Sequence, residues 1–372
     1  MKEFEYDIAI IGSGLAGCVA AQTLAKNGMM NFVVIEAHSD FGGSVRGLAK
    51  GAGFCDYGLK QIPAIAQQET QDFTQIMNQL LGIQFEEKEN SLMTWSKSGD
   101  SFSFQPFVGF GEKTPPDREV LDYYLQTKLL SPSQPVHTWP ASLLEGLQGK
   151  LLLRSSVTKL EVENDEIKSL IVNGDKKIRV QRVIFAGHPM ALETLLPANI
   201  LPGKTRQRLT KTKFWTSINL ELRHTTPIAA QPGLNVLVGP GEEPRVVLGH
   251  FHELADGTQH SHWLTFAPGF EADEEETASA LREMKKLILK SYPTALDSKQ
   301  EKVLVTPKSH GTLGGKNESD SAMTGVKNFH LASSMLEPVP NMIGAVTRAH
   351  TVTLATLREL KRSSPHQADL SI

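Results

Sequence analysis

The segment Asp7-Ile-Ala-Ile-Ile-Gly-Ser-Gly-Leu-Ala-Gly17 sets a continuous apolar run directly before the spacing Gly-x-Gly-x-x-Gly. Residues Asp7 to Ile11 read as a short strand buried on both faces. Leu15 to Lys26 is alanine-rich with helical spacing, and Asn27-Gly28 ends it. Phe32 to Ile35 (FVVI) reads as a second buried strand. A strand, a helix and a strand within about thirty residues form a β-α-β unit, which implies a parallel sheet and a right-handed crossover. In that setting Gly12 permits the tight turn, Gly14 lets the backbone approach a pyrophosphate, and Gly17 allows helix and strand to pack closely. The helix start offers free N–H groups and a positive dipole end to phosphates. Glu36, just past the second strand, can accept from both ribose hydroxyls, and its charge repels a 2′-phosphate. The unit reads as a dinucleotide site.

Working outward, the 372 residues are enough for one large domain or two smaller ones. With 40% hydrophobic and 21% charged residues the composition is that of a soluble globular enzyme. A formal net charge of −3 leaves no basic footprint for nucleic acid. Cys18 and Cys55 make no disulfide framework and no CxxC pair, which fits a reducing compartment. The N-terminus lacks the apolar length and cleavage site of a signal peptide. No apolar run approaches the roughly 18 residues of a membrane span. A cytoplasmic location is expected.

Residues from about Ala64 to Thr138 are more polar and carry Pro115, Pro116, Pro132 and Pro135, with a helical piece near Asp72 to Leu81. Leu151–Arg154, Val157–Val162 and Ile167–Val172 read as short strands turning at Asn164-Asp165 and Asn173-Gly174. Val180 to Ala186 is a further apolar strand. Phe214–Arg223, Val246–His252 and His262–Ala267 alternate apolar and polar, which predicts an antiparallel sheet open on one face. An amphipathic helix is expected over Asp273–Ser291, a strand over Phe329–Ala332, a closing helix over Ile343–Leu360 and a disordered tail after Arg362. The fold class is therefore α/β: a Rossmann-like domain with an inserted α+β domain containing an antiparallel sheet. The expected division is 1–62, 139–210 and 310–372 for the nucleotide domain, and 63–138 with 211–309 for the substrate domain.

The stretch Glu36-Ala-His-Ser-Asp-Phe-Gly-Gly-Ser-Val-Arg-Gly47, followed by Gly53-Phe-Cys-Asp-Tyr-Gly58, resembles the second signature of the flavin amine oxidase, phytoene desaturase and protoporphyrinogen oxidase superfamily. There a Gly-Gly pair and arginines follow the ribose-binding acid. Gly42 and Gly43 match the pair and Arg46 the second arginine. Pro140–Leu147 resembles the family's next helix start, without its two glycines. Val183–Gly187 resembles the strand beside the cofactor, and Phe329–Ser334 with Val339–Val346 resembles the closing motif. The resemblance implies non-covalent FAD. Its expected contacts are Gly12, Ser13, Gly14, Leu15, Ala16 and Gly17, then Glu36 and Ala37, then Gly42, Gly43, Ser44, Val45 and Arg46. Val157 would hold the adenine through its backbone, beside Ala186 and Gly187. Ser334, Met342, Ile343 and Ala345 complete the set, with a helix N-terminus facing the flavin pyrimidine. Ser44 and Ser334 depart from the family's arginine and acid, and Ala141 and Ser142 from its glycines.

Hydride transfer to flavin N5 needs little acid–base help. Lys60 and Gln61, after the Asp56-Tyr57-Gly58 strand, are the catalytic candidates, and no metal is expected. Trp139 is either a pocket wall or core, and His310 a loop residue near the flavin. Arg348 and His350 read as helix residues, and His250, His252, His260 and His262 as strand or surface residues. The expected activity is oxidation of a small-molecule substrate, an amine or a C–C or C–N bond, with oxygen or a quinone as acceptor. Two rivals stand beside it. One is a redox-neutral flavoenzyme of the UDP-galactopyranose mutase kind, with Arg118, Tyr123 and Tyr124 in its inserted segment. The other is a degenerate member that binds a nucleotide without catalysis.

Overall fold

The computed structural model describes residues 3–50, 53–56, 58–65, 67–253, 257–268, 273–297, 300–313, 318–337 and 342–363. Their strands form two seven-stranded sheets and two small two-stranded ones. In the first large sheet the strand Glu3–Ile11 lies between Phe32–Ile35 and Lys176–Phe185, parallel to both. Leu151–Leu152 extends the parallel set beyond Phe32–Ile35. On the other side, Lys176–Phe185 has two partners in succession. Its early residues pair antiparallel with Glu166–Val172, and its last three pair parallel with Phe329–Leu331. The hairpin strand Val157–Glu163 forms the edge, turning at Asn164 and Asp165 with φ of 53° and 62°. Two left-handed residues in succession give the type I′ turn that suits strand twist.

The apolar run before the glycines is buried on both sides, as its composition predicts. Ile8 and Ile10 enter one core under the helices Leu15–Lys26 and Met342–Ser363, while Ala9 and Ile11 enter the opposite core. Burial of each isoleucine contributes about 1.5–3 kcal/mol, which makes this strand the anchor of the sheet. The helix runs from Leu15 to Lys26, the expected bounds.

The second sheet runs in the order Gln300–His310, Trp215–His224, Gln259–Pro268, Val246–Glu253, Leu234–Val238, Leu92–Ser98, Ser101–Pro106. The expectation of an open face fails here. Trp215–His224 and Gln259–Pro268 are buried almost throughout. Ile218, Leu220, Leu222 and Trp263 pack against the helix Glu274–Ser291. The alternate residues Ser217, Asn219 and Glu221 face the segment around Gly58 to Gln61 and the helix Arg118–Tyr124. The alternation thus marks two buried surfaces, one apolar and one polar, rather than core and water.

Several elements were not legible. Phe85–Glu89, largely charged and exposed, pairs with Lys128–Pro132, and Leu92–Ser98 pairs with Ser101–Pro106, where Phe102 and Phe104 alternate with serines over only four residues. The helix expected from Asp72 starts at Gln67. The tail expected to be disordered lies, beyond Ser363, outside the described residues. Among the described residues no helix is long and apolar enough to cross a membrane.

Candidate functional site

The glycine turn is built as its spacing requires. Gly12 sits at φ +97° and donates to the Ile35 carbonyl at 2.8 Å, which ties the turn to the second strand. A Cβ on Gly17 would lie 2.0 Å from the Gly12 carbonyl oxygen, so only glycine lets the helix start so close. The Gly42-Gly43 pair stacks on this turn. Gly42 N–H donates to the Ser13 carbonyl at 2.8 Å and bridges Gly14, and a Cβ on Gly43 would meet Gly14 Cα at 3.0 Å. Ala186 closes the other side, 3.2 Å from where a Cβ on Gly12 would stand, with Gly187 next to it.

Glu36 is 8% exposed and is drawn into the turn. Its Oε2 accepts from Ser13 N–H at 2.9 Å and Ser13 Oγ–H at 2.8 Å, while Oε1 accepts from His38 N–H at 2.9 Å. The Glu36 carbonyl accepts from Ser155 N–H, so the chain leading to Val157 passes beside it. Ala37 is exposed. Arg46 is half-buried, and its Nε is shut from solvent with no hydrogen-bond partner. An unpaired buried donor costs about 1–3 kcal/mol, and an anion beside it removes that cost.

A cavity of about 180 Å3 gathers segments far apart in sequence. Leu15, Ser44 and Val45 meet Ser334, Met342 and Ala345 on one side, with Lys60 and Gln61 beside them. Ser217, Asn219, Thr306 and His310 from the antiparallel sheet, with Tyr123 and Tyr124, form the other side. Ala16 and Ile343, 7% and 1% exposed, point into the core instead. Trp139 is also core, fully buried against Phe73 and Phe85. Gly314, Gly315, Tyr57 and residues 338–341 lie outside the described residues.

The cavity's polar groups are interlocked. Tyr124 OH and His310 Nε2 are 3.1 Å apart, and His310 Nδ1 lies 2.9 Å from Ser309 Oγ. Tyr123 OH donates to the Gln61 carbonyl at 3.2 Å, and Gln61 Oε1 is buried without a partner. Burial, and secondarily the charge of Lys60, push the His310 imidazole down to about 4. Burial raises both tyrosines well above the usual phenol range. Burial also pushes the Lys60 ammonium down, opposed by the charges of Asp56 and Glu221. Near neutral pH the cavity therefore holds two phenols, an uncharged imidazole and an amine that gives up its proton more readily than a surface lysine.

A larger pocket of about 790 Å3 lies beyond Phe266, whose ring stands 4.9 Å from His310 and 6.0 Å from Tyr124. The smaller cavity gathers Leu15, Ser44 and Val45 from beside the glycine turn and is the better candidate site. Arg348 is a structural tie, donating to the Leu331 carbonyl and to Glu337 and Asp320. Arg118 pairs with Asp122 at the surface. Burial lowers the imidazole of His350, on the last helix. Among the described residues no group of three or more His, Cys, Asp or Glu is placed to hold a metal. Sequence reasoning undervalued Tyr124 and His310 and missed Ser217, Asn219 and Thr306. The one available signal was polar residues at every second position of an otherwise apolar strand.

Residues 10–80 match a family described as an NAD(P)-binding Rossmann-like domain. No curated protein matches by sequence. Cyclohexylamine oxidase from Brevibacterium oxydans aligns with a TM-score of 0.67 at 15% identity, over 96% of this chain and 100% of its own. An oxidoreductase from Methanosarcina mazei gives 0.67 at 11% identity, over 95% and 100%. Putrescine oxidase bound to putrescine gives 0.64 at 13% identity, over 97% and 100%. The fold thus joins a Rossmann-like domain, of the kind that residues 10–80 match, to a second, antiparallel sheet. More particularly, the chain has the fold of these amine oxidases over nearly its whole length.

Proposed function

We propose that the chain is an FAD-dependent oxidoreductase that oxidises a small molecule at a C–N or C–C bond. The observation that supports this most is the cavity where the first helix, the segment after Gly42-Gly43 and the last helix meet polar, largely uncharged side chains. On this reading residues 1–62, 139–210 and 310–372 would form an FAD domain and 63–138 with 211–309 a substrate domain, a division that the two large sheets support.

The residues present fit FAD on two counts. Arg46 Nε is a buried donor without an acceptor, suited to a pyrophosphate oxygen. Gly14 and Gly43 approach so closely that a side chain on Gly43 would press on the neighbouring backbone, leaving a cradle of bare peptide groups. Glu36 would accept from a ribose hydroxyl, and the backbone near Val157 would meet the adenine. The last helix, through Met342 and Ala345, would direct its N-terminal dipole at the flavin pyrimidine.

Bound FAD would accept a hydride at N5. The chain's own residues bind, orient and keep water out. Lys60 takes or returns a proton, and Gln61 Oε1 accepts from the substrate. The Tyr124–His310 pair holds the far wall rigid through its hydrogen bond. Oxygen or a quinone would reoxidise the flavin. Anaerobic mixing with cyclohexylamine and with putrescine tests the reading, and bleaching of the flavin is expected with an amine. Turnover of UDP-galactopyranose only after prior reduction, with no bleaching by amines, would move the chain to the redox-neutral class.

A further inference from the structure

His250, His252, His260 and His262 lie outside the lining of the cavity. Strand register sets His250 opposite His262, His252 opposite His260, and Glu221 opposite His262. Residues directly across a ladder share a face, as do residues two apart along a strand. All five therefore stand on the face that carries Ser217 and Asn219. The His252 and His262 rings lie 12° from parallel with centroids 4.5 Å apart, and their Nε2 atoms are 3.3 Å apart. His260 stacks on His252 from the other side at 5.7 Å. His262 turns Nδ1 to one carboxylate oxygen of Glu221, and the other oxygen accepts from Gly58 N–H at 2.9 Å. A hydrogen bond, an ion-pair contact and a second hydrogen bond thus link His252, His262, Glu221 and Gly58, two residues before Lys60.

Two pockets meet at that segment. An outer one of about 580 Å3 is lined by Lys60, His137, His250, His252 and His262. Lys60 also lines the cavity, and among the described residues it is the one ionisable side chain bordering both. The two carboxylates acting on its charge are each paired with a histidine: Asp56 with His137 Nδ1 at 3.0 Å, and Glu221 with His262. Lys88 and Glu89 complete the charged wall outside, while Tyr123, Tyr124 and His310 face Lys60 from the cavity.

We propose that Lys60, Glu221, His262 and His252 form a proton relay that carries a proton released by substrate in the cavity to solvent in the outer pocket. The inference rests on the oxidoreductase reading above. An N–H or O–H bond of the substrate breaks, its electron pair stays on the substrate, and the proton bonds to the Lys60 Nζ lone pair. It passes to Glu221, enters His262 at Nδ1, leaves from Nε2 to His252, and goes to water. Only protons move in these transfers, so no oxidant is consumed. Burial that loosens the Lys60 proton, balanced by two nearby carboxylates, suits a group that both takes and gives one.

Two variants test the relay. Glu221→Gln keeps the acceptor for Gly58 N–H and removes the charge. With lysines carried as isotope-labelled dimethyl-lysine, and the Lys60 signal identified by its loss in Lys60→Arg, NMR titration of the flavin-free protein should put the Lys60 midpoint about one pH unit lower in Glu221→Gln. An unchanged midpoint overturns the coupling whether or not the protein binds FAD. His252→Ala should keep the flavin and slow its anaerobic bleaching by about ten-fold or more, and added imidazole should restore the rate. Bleaching at the parent rate, or slow bleaching indifferent to imidazole, overturns the relay. A protein that takes up no flavin overturns the reading beneath it instead.

Discussion

Replacing Glu36 by alanine separates the cofactor role proposed for this residue from its structural one. A carboxylate offers four lone-pair sites, and three are filled by Ser13 N–H, Ser13 Oγ–H and His38 N–H. One remains for a ribose hydroxyl. A hydrogen bond to a charged group is worth about 1.5–3 kcal/mol, so Glu36→Ala should weaken FAD roughly 10- to 150-fold. The same change strands the amide of Ser13, which is fully buried, and costs the flavin-free protein about 1–3 kcal/mol. Titration of flavin-free protein with FAD, followed by quenching of flavin fluorescence, reads the first effect. Urea unfolding of the same sample reads the second. Ser13→Ala is the control: it frees a second acceptor site on Glu36 and should leave FAD affinity equal or higher. Unchanged affinity in Glu36→Ala, in a protein that is measurably less stable, would refute the ribose placement while leaving the turn intact.

Arg46→Met should show the opposite division. Removing a cation whose Nε has no partner should leave urea stability of the flavin-free protein equal or up to about 3 kcal/mol higher and weaken FAD about ten-fold or more; a large stability loss with normal affinity would contradict this. Gly17→Ala places a Cβ 2.0 Å from a backbone oxygen, so the turn must move; FAD binding should be lost, and a variant that binds normally would show that the turn is not the site. His310 and His224, both pushed down to about 4 chiefly by burial, remain neutral in the fold while the unfolded chain takes up protons at ordinary histidine values. Stability should hold above pH about 6.5 and fall as pH drops towards about 4, by up to about 3 kcal/mol per histidine. Urea unfolding at about pH 7.5 and about pH 5 checks this; an equal midpoint at both would contradict it, and His224→Gln should flatten the dependence.

What the chain's own pattern disclosed was local. The helix Leu15–Lys26 and the strand Phe32–Ile35 have the expected bounds because glycines and an apolar run mark them within a few residues. Glu36 and Gly42-Gly43 belong to the same short range. The site's far wall was hidden for the opposite reason. Tyr124 meets His310 across 186 residues, and no periodicity announces such a pairing. Polar residues such as Asn219 and Glu221 looked solvent-facing, yet they are 7% and 1% exposed, because the Gly58 segment covers them. Strands such as Phe85–Glu89 are held by backbone pairing and carry charged, exposed side chains, so they leave no apolar trace.

The central claim is that these segments hold a flavin and pass substrate electrons to it. Purification, reconstitution with FAD and an absorption spectrum test it most directly. The expected result is a yellow protein with one FAD per chain, released on denaturation. A colourless protein that takes up no FAD would contradict the account.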